Sequence, residues 1–170
     1  MREPIRPLTT GSNSSKAILE TIEAAWRPMR DAATRLGEQG LESRTSAGWT
    51  AKELLAHVAF WDEAVVAVVV GMFRRQPLPD GWTFGSGYLP GDGESWPPAD
   101  VHNAREASWA QGRSAAEVLA RLDHAHDRMV SALSTVTDQE ASEHGDYFDR
   151  LPRHYVEHLP ELQELRAPGS

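Results

Sequence analysis

No cysteine occurs anywhere in the 170 residues. Its absence removes disulfides, thiolate nucleophiles and cysteine-ligated zinc in one step. Positive charge is also short: 17 Lys and Arg face 25 Asp and Glu, for a formal net charge of −8. A phosphate backbone needs a basic stripe, and Arg74-Arg75 is only a pair, so no nucleic-acid partner is expected. No apolar run approaches the ~20 residues of a bilayer span. The start, Met1-Arg2-Glu3-Pro4-Ile5-Arg6-Pro7, lacks the hydrophobic segment of a secretory signal. The expectation is a cytoplasmic protein with no membrane partner. A Gly-rich phosphate loop, a G-x-S-x-G elbow and a paired-carboxylate motif are missing too, and Gly85-Ser86-Gly87 is a loop fragment.

What remains is ordinary for a globular chain, 40% hydrophobic and 25% charged. Residues 1–13, rich in Pro, Thr, Gly and Ser, read as a flexible leader. Residues 14–166 read as a single domain, long enough to remove roughly 70% of its unfolded surface from water.

Helical spacing dominates that domain. Ser14 or Ser15 caps a first helix to about Leu36, with Ile18, Ile22, Trp26, Met29 and Ala33 on one face. Pro28 should kink or split it, and Gly37 and Gly40 should end it. Thr50 and Glu53 form a capping box opening a second helix to about Phe73. Its middle, Val65-Val66-Ala67-Val68-Val69-Val70, is apolar on all sides and should be buried by the other helices or by a second subunit. A homodimer is one consequence of that pattern. Asp100 caps a third helix to Gln111, and the Ser114/Glu117 box opens a fourth to about Leu133. Residues 134–147 read as turns, and a last helix starts near Phe148, with Pro160 bending it after His158.

The second and third helices are joined by residues 76–99, dense in Pro and Gly yet carrying Trp82, Phe84, Tyr88 and Trp96. Four aromatics argue against disorder. They either line a ligand pocket together with Trp61 or pin the crossing to the bundle.

The chemistry sits in the histidines. His154 and His158 are four apart on the last helix, so their rings lie on one face about one turn (~6 Å) apart. Nitrogens at that separation can reach one metal at roughly 2.0–2.1 Å. Such a pair is equally what exposed or structural histidines look like. His57, inside the apolar run Leu54 to Trp61, is the best third ligand; the bland reading makes it a hydrogen-bonded core histidine. Three neutral imidazoles would form an open metal site with room for water or substrate. His126 is a reserve ligand or a hydrogen-bonding neighbour, whereas His102, His124 and His144 look solvent-facing. His154 to His158 also spell H-x-x-E-H, the inverted zinc-protease pattern. Glu157 lies one position off the histidine face, however, and no acidic ligand follows well downstream, so the protease reading is set aside.

Two blocks, Gly48-Trp49-Thr50-Ala51-Lys52-Glu53-Leu54-Leu55-Ala56-His57 and Arg153-His154-Tyr155-Val156-Glu157-His158-Leu159-Pro160-Glu161-Leu162, resemble the DinB-like superfamily of small bacterial proteins. The resemblance implies an all-α four-helix bundle holding a divalent metal, zinc or nickel first, through His57, His154 and His158. It implies thiol-dependent transfer or isomerisation with mycothiol, bacillithiol or glutathione, or detoxification of electrophiles. Segment 76–99 departs from the family's usual pattern.

Two functions of different class follow. One is a metal-dependent enzyme on a small electrophile, acting by thiol transfer or hydrolysis. The other is a non-catalytic protein that sequesters a small hydrophobic compound.

Overall fold

The three longest helices each begin where a hydroxyl side chain closes the first turn. The computed structural model describes residues 14–87 and 98–165, so the expected leader and the aromatics Tyr88 and Trp96 lie outside the described residues. Helix α1 (Ser15–Leu41) starts on Ser14, whose hydroxyl accepts from the amide of Ala17. It buries Ile22, Trp26, Met29, Ala33 and Leu36. Of the two outcomes expected at Pro28, a kink or a split, the split does not occur: the helix runs through it, and the buried stripe on both sides holds it across the missing donor. Only Gly37 leaves helical dihedrals, at φ 61° and ψ −176°, before a last turn to Leu41.

Helix α2 (Ala51–Ala67) opens on the expected box, with Glu53 N–H to Thr50 Oγ1 at 3.1 Å and Thr50 N–H to Glu53 Oε2 at 2.8 Å. It continues not as α-helix but as a π-helical segment, Val68–Phe73. Every α2 residue except Trp61 is buried. The residues Ala51–Gly71 are in fact long and apolar enough to cross a membrane, which corrects the reading that no run approaches that length. Since 78% of the most apolar window is buried, this is the core helix of the bundle.

Helix α3 (Ala99–Gln111) follows Pro98 rather than a cap at Asp100, which sits in its first turn. Helix α4 (Ala115–Leu133) opens on the Ser114/Glu117 box as expected. The supposed turns contain α5 (Asp138–Glu143) and α6 (Gly145–Phe148). A third box, Thr137 with Glu140, starts α5 and was a legible signal passed over. Helix α7 (Leu151–Gln163) begins three residues later than expected, with Pro152 in its first turn, and continues through Pro160.

Four of these helices close a ring, α1 on α7, α7 on α2, α2 on α4 and α4 on α1, with α3 outside against α2. Among the described residues there is no strand, only an isolated bridge between Arg44 and Thr50. The fold is an all-α bundle, and the packing of α2 against α7 brings residue 57 next to residues 154 and 158.

Candidate metal centre

The imidazoles of His57 on α2 and of His154 and His158 on α7 meet edge to face, with centroids 5.0, 5.1 and 4.8 Å apart pairwise. Nε2 of His57 stands 3.0 Å from Nε2 of His154, although 97 residues separate them. Ligating atoms of all three rings fall within 4.8 Å of one another. Two nitrogens bound at about 2.0–2.1 Å to one ion, at right to tetrahedral angles, stand about 2.9–3.4 Å apart. The His57–His154 separation fits that range.

The outward nitrogens are held in ways that free the inward ones. Nδ1 of His57 lies 2.8 Å from Oδ1 of Asn103 on α3, a hydrogen bond in which the ring donates. That assigns its proton to Nδ1 and its lone pair to Nε2. Nδ1 of His158 lies 2.8 Å from Oε1 of Glu161, with the same consequence. Trp49 sets its ring edge-on to His57 at 5.2 Å. Burial, then the neighbouring His158, lowers the pKa of His57 to about 4. Burial, then His57 and His158, lowers that of His154 to about 3. Imidazoles that resist protonation are what a cation requires of its ligands. The cluster could hold one metal ion, and its neutral nitrogen donors suit a first-row divalent ion better than calcium or magnesium.

The profile of the DinB superfamily matches residues 21–162, a span that holds all three histidines. The chain belongs to the DinB superfamily. No curated protein and no solved structure matches it.

In this DinB-superfamily bundle a cavity of about 510 Å³ adjoins the histidines and shares His154 with them. Its walls are Trp61, Val65, Val68, Met129 and Leu151, with Asp62 and Arg150 as its charged members. A hollow of about 580 Å³ between α1 and α7, lined by Ile18, Phe148 and Val156, reaches none of the three.

Of the aromatics expected at a pocket, Trp61 lines this cavity. Trp82 and Phe84 do not. They are buried in the core, Phe84 at 4.5 Å from Phe60 and Trp82 at 4.9 Å from Phe84, which is the pinning alternative.

Histidine placement needs two corrections. His102 is 2% exposed and stacks on Phe60 at 4.6 Å. His144 is half-buried and lies flat against Phe73 at 4.2 Å. Both rings offered apolar surface to an aromatic neighbour that chain order does not reveal. His124 is exposed, as expected, and so is Glu157.

Sequence reasoning missed a buried polar layer. Arg121 holds Glu63 through Nε and a terminal nitrogen at 3.2 and 2.9 Å, and Glu106 at 2.5 Å. The signal was present: Asp62-Glu63 interrupts the apolar run of α2, and paired charges are what such a run must contain if it is buried.

Proposed function

We propose that this protein is a metal-dependent enzyme acting on a small apolar electrophile, by thiol transfer or by hydrolysis. The observation that carries the reading is the sharing of His154 between the three-imidazole cluster and the apolar cavity. His57, His154 and His158 would hold the ion, with zinc or nickel favoured by three nitrogen donors. A divalent cation with neutral ligands keeps its full charge and brings a water or a low-molecular-weight thiol, such as mycothiol or bacillithiol, into the range where its anion is available near pH 7.

The chain's own residues supply the rest. Asn103 and Glu161 orient two of the rings. Trp61, Val65, Val68, Met129 and Leu151 desolvate the electrophile and place its carbon beside the cluster, and few polar groups interrupt that wall, as in most small-molecule pockets. Arg150 at the cavity wall offers a cation to an anionic group of the cosubstrate or product.

Protein purified without a histidine tag should carry zinc, nickel or a similar ion by elemental mass spectrometry. It should also consume an alkylating electrophile faster with a thiol present than His57→Ala does. If no metal copurifies and added zinc and nickel fail to bind, the enzyme reading falls and a sequestering role for the cavity replaces it.

A further inference from the structure

The three rings of the cluster are not held alike. Nδ1 of His57 donates to Asn103, and Nδ1 of His158 to Glu161. Nδ1 of His154 has no acceptor among the described residues, and it is not sealed in the core either. The His154 ring turns Nε2 to His57, 3.0 Å away, and its remaining edge lines the apolar cavity. It therefore opens an unpartnered ring nitrogen on that cavity.

The hydrogen bonds fix what this nitrogen carries. Nε2 of His57 bears a lone pair, because its proton is on Nδ1. The contact between the two Nε2 atoms must then take its proton from His154, which leaves Nδ1 of His154 a bare acceptor. Service as a metal ligand reverses this. Nε2 of His154 must then be unprotonated, and in a neutral ring the proton moves to Nδ1. The same ring offers the cavity an acceptor without an ion and a donor with one.

Arg150 stands beside it. It is the N-cap residue of α7, with helical dihedrals, and precedes His154 by four residues. The two side chains thus leave one face of the helix about one turn (~6 Å) apart, and both line the cavity with Leu151. Arg150 is exposed, and its guanidinium pairs with no carboxylate among the described residues. Asp62, the acid of the cavity, turns both oxygens to the Tyr155 hydroxyl at 2.9 Å and serves neither neighbour. A free cation and an N–H donor on one face, set in apolar walls, are the complement of a carboxylate on an apolar body.

We propose that Arg150 and Nδ1 of His154 form a carboxylate clamp in the cavity, which closes when the histidine cluster holds its metal. The ligand class is a small acid with an apolar body. Trp61, Val65, Val68 and Met129 take the body, while Arg150 and His154 each take one oxygen. The clamp rests on the cluster as a metal site and the cavity as the substrate's, and it gives that substrate a carboxylate of its own. A carboxylate on Nδ1 also orients His154 toward the ion, so acid and metal raise each other's affinity by one common factor.

The test reads binding by the full chain, zinc-loaded and metal-free, of 4-phenylbutyrate and of its neutral amide. With zinc the acid should bind about 10–100-fold tighter than the amide, since hydrogen bonds to a charged group contribute more than neutral ones. Without zinc the ratio should fall about tenfold, and the acid should raise zinc affinity by the factor by which zinc raises its own. Arg150→Gln should lower the ratio about tenfold and leave binding of the amide unchanged. Nitrogen-15 spectra of labelled histidine should show His154 protonated on Nε2 in the metal-free chain and on Nδ1 with zinc, the Nδ1 signal moving when the acid is added. A preference kept in full by Arg150→Gln places the carboxylate on the zinc itself and overturns the clamp, as does an Nδ1 signal that the acid does not move. Equal binding of acid and amide by a chain that holds zinc also overturns it, and leaves the metal site standing. If zinc does not bind, the reading of the cluster fails and takes the switch at His154 with it.

Discussion

The amide oxygen of Asn103 meets His57 on the nitrogen opposite to the one that faces His154, so one ring is fixed from α3 and offered to α7. Loss of that bond frees the ring to rotate and to exchange tautomers. Asn103→Leu should therefore weaken zinc binding by about 10–100-fold while leaving the helical content of the bundle unchanged. Isothermal titration of the metal-free protein with zinc, set beside far-ultraviolet circular dichroism, measures both. Unchanged affinity would show that packing against Trp49 alone orients His57.

Zinc should stabilise the native chain by binding it in preference to the unfolded one. At about a hundredfold excess over its dissociation constant the gain is about 2.7 kcal/mol, or a rise in melting temperature of about 5–10 °C. His57→Ala, His154→Ala and His158→Ala should each remove most of that rise, which thermal melts with and without zinc would show. A full zinc-dependent rise in all three variants would place the metal elsewhere.

The helices were legible because caps and apolar periodicity are local, and the pairing of His154 with His158 is local as well. His57 joined them only through the apolar run around it and the resemblance of two sequence blocks, since nothing in chain order says that α2 packs on α7. The same limit explains the misplacements. His102 and His144 looked exposed because their aromatic partners, Phe60 and Phe73, are far away in sequence. Tyr155 packs its ring in the core while its hydroxyl reaches Asp62, 93 residues away, a partner that its place on the last helix does not name. Buried polar partners are chosen by packing, and spacing along one helix does not disclose them.

The metal-free protein should gain stability as pH rises from about 4 to about 6.5. His57 and His154 are held at about 4 and about 3 in the fold, against 6.5 when free. Between those limits the unfolded chain binds more protons than the native one, so the sign is positive, at most about 1.4 kcal/mol per pH unit for each group. Urea unfolding across this range should show the rise, and His57→Gln/His154→Gln should flatten it. An equal slope in the double variant would remove these rings as its source.

Asp62 works in the opposite direction. Its carboxyl is raised in the fold above the 3.8 of a free aspartic acid, so above that pH the native state holds a proton that the unfolded chain releases. The sign is negative, and wild-type stability is eroded as pH rises until the folded group itself ionises. Asp62→Asn keeps the shape and cannot ionise, so its stability relative to wild type should improve steadily from pH 4 upward. Paired urea titrations of the two proteins at several pH values give the difference directly. A difference that does not change with pH would mean that Asp62 is ionised in both states.

The layer that joins α2, α3 and α4 to the start of the connecting segment should be the least tolerant of single changes. Arg121 lies between Glu63 and Glu106 with Trp109 4.5 Å from its guanidinium carbon. The same two carboxylates accept from the amide of Gly85 at 2.9 Å and the hydroxyl of Ser86 at 2.7 Å. Arg121→Leu would leave two buried carboxylates without their cation, at a cost of about 3–5 kcal/mol. Replacing all three charges together, Glu63→Leu/Glu106→Leu/Arg121→Leu, should recover much of that loss, because no charge is then stranded. Gly85→Ala probes the same layer by size: a Cβ there would fall on the Arg121 guanidinium and 2.8 Å from Oε1 of Glu63. The ion pairs must then move apart, at about 1–3 kcal/mol. Chemical denaturation of the single and triple variants decides between the two causes. A triple variant as unstable as Arg121→Leu would show that the layer matters for its shape, and that its charge balance is secondary.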